Sequence, residues 1–423
     1  MSELAFTTLA ALADITMGQS PDSALCNTNE QGLPFLQGCA EFGQKNPRAM
    51  VFCESAVRTA KAGSVLISVR APVGTMNYAD QDYCVGRGLA AFKANPSLSN
   101  SVFLKHAVEL NSGYLHRRSQ GSTFAAVSSE DIRKIPVPKF SLAQQNKIAG
   151  ILDGIDTTIE KTEALIEKYQ QIKAGLMHDL FTRGVQPDGK LRPTREQAPE
   201  LYRETGIGWV PKEWQIVALE GCLHLQSSPK NGYSPREIEN WEGVYVLGLG
   251  CLTKEGFEPR QLKNAPRTAA IASGAMLNDG DFLISRANTP ELVGLCGVYA
   301  DVGVAAIYPD LMMRLSLVSI LDARFLEAQM LYSETRIRLT ALAVGTSSSM
   351  VKLNSASLKK FQLFLPALEE QKIIVGKLRI QQSLIDSEKK KLAKLRVIKN
   401  GLMHDLLTGK VAVKVDAPIE QEA

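Results

Sequence analysis

Five histidines, at positions 106, 116, 178, 224 and 404, are where acid–base or metal chemistry would show first. Their spacing supports neither, since no His-Glu-x-x-His run brings two imidazoles to one ion. His178-Asp179 and His404-Asp405 are adjacent in sequence. Neighbours on a helix point apart, so they make poor acid–base pairs; charge compensation at a helix C-terminus or docking of a partner suits them better. The seven cysteines (26, 39, 53, 84, 222, 251 and 296) are odd in number and never spaced Cys-x-x-Cys. That fits a reducing compartment better than a disulfide framework or a zinc site. The sequence has no GxxxxGK[ST] phosphate loop and so no sign of a motor. It also lacks the [ND]-P-P-[FY] tetrapeptide with which amino-methyltransferases hold a flipped base. Asn46-Pro47-Arg48 and Asn95-Pro96-Ser97 come nearest, without the second proline. Pro187-Asp188 and Pro309-Asp310 lack the downstream acidic-x-Lys of a metal nuclease core. No catalytic or metal constellation is legible.

What remains is chemistry that recognises rather than transforms. Gly63-Ser64-Val65-Leu66-Ile67-Ser68 reads as a short strand ending at Arg70-Ala71-Pro72-Val73-Gly74. Gly280-Asp281-Phe282-Leu283-Ile284-Ser285 runs likewise into Arg286-Ala287-Asn288. A strand that follows a Gly-led turn and ends on an arginine therefore occurs twice. Tyr83–Ala90 sets Arg87 between Gly86 and Gly88, which leaves two readings open: structural glycines of a surface turn, or a contact residue held in one.

The elements that must position these side chains are also doubled. GLMHDLFT at Gly175–Thr182 recurs as GLMHDLLT at Gly401–Thr408, seven of eight identical, at an offset of 226. The same offset matches Ile132 with Leu358, Leu142 with Leu368, Gln145 with Gln371 and Ile148 with Ile374. A period near half the chain is a duplicated two-part unit rather than a solenoid. In a heptad frame Ile148, Leu152, Ile155, Ile159, Ile166, Tyr169 and Leu176 form one stripe, broken by Thr162 and Lys173. Ile374, Leu378, Ile385, Leu392, Leu395 and Leu402 form the second, broken by Gln381, Glu388 and Lys399. Such spacing over four heptads predicts a coiled-coil seam; a helix packed on its own domain is the alternative. Ser141 can cap the first helix and Pro366 precedes the second, while Arg183-Gly184-Val185 and Gly409 mark the exits. The tract Val185–Glu200 is rich in proline and charge and reads as a flexible linker. The expected organisation is a first mixed α/β domain (1–140), a long helix (141–185), a linker (186–208), a second domain (209–366), a second long helix (367–412) and a tail (413–423).

Composition sets the bounds. With 423 residues, 45% hydrophobic and 22% charged, the chain has room for several ordinary globular cores. No run approaches 18 apolar residues, so no membrane-spanning helix is expected. The N-terminus carries Glu3 and Asp14 and lacks a basic signal-peptide region, so it reads as mature protein, and the cysteine usage predicts a cytoplasmic one. A net charge of +4 is too small for nucleic acid to be held by bulk electrostatics. Binding of that kind would need local patches or a partner's charge.

In this setting the chain resembles the specificity subunits of type I restriction–modification enzymes, over nearly its whole length. The resemblance rests on LISVRAPVG (Leu66–Gly74), YCVGRGLAAF (Tyr83–Phe92), Ile135-Pro136-Val137-Pro138 and Gln144-Gln145 ahead of helix one. It continues in Trp209-Val210-Pro211-Lys212-Glu213-Trp214, FLISRAN (Phe282–Asn288), Leu365-Pro366 and Glu369-Glu370-Gln371. One departure is Gln144-Gln145, where the family usually reads Glu-Gln. The resemblance implies two α/β (α+β) target recognition domains, each reading half of a split, asymmetric DNA sequence. Their two helices would pair as an antiparallel coiled coil and dock two methyltransferase subunits; motor-nuclease subunits would join to complete the restriction enzyme. This chain would carry no catalytic residue, metal or cofactor. S-adenosylmethionine, ATP and Mg would belong to the partners, which methylate adenine N6 and cleave.

Tandem duplication gives a body of pseudo-twofold symmetry with two non-identical readers, hence a bipartite, non-palindromic site. Base discrimination would come from Arg, Asn, Gln or Ser on loops that reach the groove. Candidates in the first domain are Gln19, Ser20, Arg70, Arg87, Arg117 and Arg118, and in the second Ser227, Ser228, Lys230, Arg286 and Asn288. His178, Asp179, His404 and Asp405 are candidates for partner docking. Two rival classes are an adaptor that binds only proteins through its coiled coil, and a single-chain methyltransferase with its own recognition domain. The first leaves two unlike α/β domains unexplained; the second requires the missing tetrapeptide and a larger chain.

Overall fold

The computed structural model describes residues 4–119, 126–225, 227–347 and 350–415, so residues 416–423 of the expected tail lie outside it. The chain divides into two units, one of Met1–Glu167 with Ser387–Ala423 and one of Lys168–Asp386. Two long helices, Leu142–Thr182 and Leu368–Leu407, each contribute a segment to both units. In the first unit their pairing is antiparallel: Asp156 meets Lys399 at 2.9 Å, and Glu163, further along, meets the earlier Arg396 at 2.8 Å. The heptad positions Ile148, Leu152, Ile166, Ile374, Leu378 and Ile385 are buried, as a coiled-coil seam requires. Packing on the domain holds as well, because Ile148 and Leu152 enter the same core as Phe103 and Phe92.

Each helix starts pinned to the domain before it. Gln145 is buried; its Nε2 donates to the carbonyls of Leu98 (3.1 Å) and Phe140 (3.0 Å), and its Oε1 accepts from Asn100 N–H. Gln371 repeats this with Ile320, Pro366 (both 2.9 Å) and Asp322 N–H. Ser141 and Gln144 form a reciprocal capping box at the first helix. The repeated tract has a plain packing role. Met403, Leu406 and Leu407, at i, i+3 and i+4, share one helix face and close the first unit's core. Leu180 and Phe181 do the same in the second, where Phe181 stacks on Tyr332 with centroids 5.4 Å apart.

The first unit holds an antiparallel sheet in the order Ala13–Met17, Leu89–Ala94, Val65–Ser68, Met76–Tyr78. Beside it lies a five-stranded sheet in which Leu33–Leu36 runs parallel to Tyr83–Val85. Side chains alternate across a strand, and Val65–Ser68 is covered on both faces: Val65 and Ile67 enter one core, Leu66 the other. This is why the strand reads as an unbroken apolar run. The second unit repeats the plan with Lys230–Asn231, Met312–Leu315, Phe282–Ser285 and Cys296–Val298, and with Val244–Val246 parallel to Ala305–Ile307. Phe282 and Ile284 face one core and Leu283 the other. Both central strands follow a glycine at positive φ, Gly63 (80°) and Gly280 (88°).

The tract read as a flexible linker is instead fastened. Tyr202–Thr205 and Gly208–Pro211 form a hairpin. Arg192 is buried, with Nη1 and Nη2 on the two carboxylate oxygens of Glu370 at 2.5 and 3.0 Å and Nη2 also 2.7 Å from Glu213. Its proline and charge content suggested solvation, but one buried ion pair overrides that tendency. Among the described residues no helix is long and apolar enough to cross a membrane.

Candidate functional site

Two equivalent loop junctions, one per unit, collect the exposed polar side chains. Each is built on a Gly-x-Ser-Pro turn. In the first unit Gly18 N–H donates to the Leu89 carbonyl and Gln19 N–H to that of Val85, both at 2.9 Å. In the second, Gly232 N–H donates to Met312 (3.2 Å) and Tyr233 N–H to Tyr308 (2.9 Å). The glycines are dictated by close approach. A Cβ on Gly18 would sit 2.1 Å from the Gly86 carbonyl oxygen, and one on Gly232 2.1 Å from that of Tyr308. The structural partner of Gly18-Gln19-Ser20-Pro21 is therefore Gly232-Tyr233-Ser234-Pro235, not Ser227-Ser228-Pro229. The shared Gly-x-Ser-Pro pattern was the available signal, at an offset of 214 rather than 226. Unequal loops within the two domains hide it.

Against each turn rests the loop that leads into the next strand. Arg87 N–H donates to Ser20 Oγ at 3.4 Å, and Asp310 N–H donates to Ser234 Oγ at 3.2 Å. Arg87 and Asp310 thus occupy one position of a common frame. Gly88 answers to packing, since its Cβ would meet the Gln37 carbonyl at 2.5 Å. The Arg87 side chain is exposed and shares a cleft of about 290 Å³ with Arg70 and Gln37. Among the described residues neither arginine has an ion-pair partner. Glu41 lines the same cleft and accepts from the Gly38 N–H at 3.2 Å, so two guanidiniums face one carboxylate. The remaining positive charge suits the acceptor edge of a base, or a phosphate.

The second junction differs in charge. Ser234 Oγ donates to Asp310 Oδ1, and the Asp310 carboxylate stays exposed. Arg286 is half-buried, and its register differs from that of Arg70. Val127 N–H donates to the Val69 carbonyl and Leu353 N–H to that of Arg286, so Arg286 matches Val69 while Arg70 matches Ala287. One residue of offset turns a side chain to the opposite face. Asn288 is half-buried, pairs with Val351 through the backbone and accepts from Thr289 N–H. Lys230 is exposed, with Nζ 3.4 Å from the Gly274 carbonyl oxygen. Ser227 N–H donates to the His224 carbonyl at 2.9 Å, and Ser228 is exposed.

Arg117 and Arg118 lie on the helix Ser112–Ser119. Arg118 is engaged within the domain, over the Tyr114 ring (5.4 Å) and 4.0 Å from Asp131, and Arg117 is exposed. The docking candidates are placed separately. His178 Nδ1 lies 2.9 Å from the Tyr332 hydroxyl, and Asp179 pairs with Arg183 at 3.1 Å. Asp405 pairs with Lys410 at 3.3 Å, and the His404 carbonyl accepts from the Thr408 hydroxyl. Among the described residues no group of three or more His, Cys, Asp or Glu could hold a metal ion.

Comparison with known proteins agrees with this duplicated plan. The type I restriction modification DNA specificity domain matches residues 1–171 and again 211–397. The protein assigned as the MjaX specificity subunit of a type I restriction enzyme in Methanocaldococcus jannaschii is 35% identical over 178 residues. That match spans 42% of this chain and 40% of the relative. The MjaVIII specificity subunit of the same organism is 25% identical over 335 residues, 75% of this chain and 72% of that one. Among solved structures, the S subunit of a type I restriction–modification system from M. genitalium shares the fold. It superposes with a TM-score of 0.59 at 14% identity, covering 96% of this chain and 97% of that one.

Proposed function

The chain belongs to the type I restriction–modification DNA specificity family, and we propose that it reads a bipartite, asymmetric DNA sequence for such a complex. The carrying observation is the pair of equivalent junctions with unlike chemistry. One frame presents Gln19, Arg70 and Arg87 in the first unit and Tyr233 and Asp310 in the second. Identical frames give each unit the same approach to a groove, and different side chains give each a different preference. A bipartite target with unequal halves follows.

In this reading the helices dock two methyltransferase subunits, and motor-nuclease subunits join them. S-adenosylmethionine, ATP and Mg act in those partners, adenine N6 is methylated there, and this chain supplies no catalytic group. The near-neutral charge of +4 suits that division, with the partners holding the backbone while this chain discriminates. A complex that acts on DNA in this way works in the cytoplasm. The test is a methylome comparison between a strain that carries the chain and its deletion. Loss of methylation at one split, non-palindromic motif is expected. An unchanged methylome, with only protein partners recovered on affinity purification, would favour the adaptor instead.

A further inference from the structure

We propose that Asp310 selects cytosine in the second half of the target, at the place in the common frame where Arg87 selects guanine in the first. The inference rests on the DNA-reading function proposed above and adds residue-level specificity to it.

Three observations carry it. Arg87 and Asp310 are equivalent by hydrogen-bond register, each donating its N–H to the serine of a Gly-x-Ser-Pro turn. Both side chains are exposed, and among the described residues neither makes an ion pair. Asp310 is moreover oriented: the Ser234 hydroxyl donates to Oδ1, which leaves Oδ2 as the open acceptor. A carboxylate near DNA is repelled by phosphate, so an exposed, unpaired one is costly unless it meets a donor. On the major-groove edge cytosine N4 offers a donor to an acidic side chain, while guanine O6 and N7 offer two acceptors to arginine. Arg70 lies in the same cleft as Arg87 and outweighs the one carboxylate there, Glu41, which is engaged by the Gly38 N–H, so the first side keeps its acceptor preference. No arginine takes Arg70's place in the second unit, where the matching residue is the buried Ala287. The two junctions are thus complementary in sign, and so are the base edges they suit. Ser234 is a positioning residue here, since it fixes the carboxylate without reaching the base.

The experiment is selection from randomised duplex DNA by the complex of this chain with its methyltransferase subunits. Asp310→Ala is expected to lose the preference for one G·C pair, roughly tenfold, in the second half-site only. Asp310→Asn should shift that position toward adenine, because an amide pairs with adenine N6 and N7. Ser234→Ala keeps the carboxylate and should retain the cytosine preference at weaker affinity, which separates positioning from reading. If the wild-type complex enriches a split sequence while Asp310→Ala and Asp310→Asn leave every position unchanged, this assignment is wrong and the DNA-reading function stands. If the wild type enriches no sequence, both fall.

Discussion

Arg192 grips Glu370 with both terminal nitrogens, at 2.5 and 3.0 Å, and the same carboxylate accepts from the Val185 N–H at 2.8 Å. The exit of the first long helix and the start of the second are thereby tied within one unit. The pair also bears on the Gln144-Gln145 departure. Glu370 needs its charge for Arg192, whereas Gln144, its counterpart at the offset of 226, only caps Ser141.

Breaking this pair should cost more than an exposed ion pair does. Both side chains are buried, so Arg192→Met leaves an uncompensated carboxylate, at a cost of about 3–5 kcal/mol. The double variant Arg192→Met/Glu370→Gln removes the charge yet keeps an acceptor for Val185, and should regain much of that loss. Thermal denaturation of the three proteins checks it; equal melting temperatures throughout would contradict a structural clamp.

The Gly-x-Ser-Pro turns should tolerate no side chain at their glycines. In each of Gly18→Ala and Gly232→Ala the new methyl meets a carbonyl oxygen at 2.1 Å, and backbone cannot swing aside as a flexible side chain can. A loss of about 1–3 kcal/mol is expected, as for overpacking. In a methylation assay Gly18→Ala should relax one half of the motif and Gly232→Ala the other. Loss of the same half in both would contradict the separate junctions.

The sequence made the duplication legible wherever the spacing between repeats is constant. Gln145 and Gln371 align at the helix-tract offset because both pin a helix to backbone atoms, a role that tolerates no insertion. Inside the domains loop lengths differ, so the sequence points to Ser227 and Ser228 as candidates in the second domain, while the structural counterpart of Gln19-Ser20-Pro21 is Tyr233-Ser234-Pro235. Arg70 and Arg286 likewise resemble each other in sequence but miss by one residue in register. The fastening of residues 186–208 was illegible because it depends on Glu370, far along the chain.

Acid should loosen the packing of the second long helix on the first unit's domain, where Glu109 of the helix Ser101–Leu110 meets Lys399 at 3.2 Å. Burial alone would raise Glu109, but the hydrogen bond with His106 and the charges of Lys105 and Lys399 outweigh it and hold the carboxyl down at about 2. A depressed folded value contributes stability above the ordinary 4.5, lost as pH falls from there toward 2. Lys399 acts in the opposite sense. Burial opposes its charge, Glu109 and Asp156 raise it above 10.5, and its contribution fades as pH climbs past that value. Melting temperature against pH should therefore fall on the acid side, and Glu109→Gln should flatten that fall. An unaltered acid limb in the variant would rule the cluster out.

Arg87→Ala should weaken specific binding by about 1–3 kcal/mol if the guanidinium meets a base edge. Contact with phosphate alone would lower affinity on all sequences alike and make the salt dependence shallower. Titrations of specific and unrelated duplexes at several salt concentrations discriminate the two, and unchanged binding would exclude both.

Replacing residues 1–140 with the corresponding domain of a relative should change one half of the methylated motif and leave the other intact. The joints that must survive the exchange make few demands on side chains. Gln145 bonds to the backbone of Leu98, Asn100 and Phe140, so any domain with the same chain path at those points can receive it. The second helix presents Met403, Leu406 and Leu407 to the first unit's core, and its tract repeats in seven of eight residues the one that closes the second unit. A surface that serves two different domains within one chain is already generic, and a third should fit it. Arg87, Arg70 and the Gly18 turn all lie within the exchanged segment, whereas Asp310 and the Gly232 turn do not. Methylome sequencing of the hybrid therefore has a definite expectation: a new first half, with the old second half at the same spacing. A change in both halves would mean that each junction depends on the other unit, and the modular reading would then be wrong.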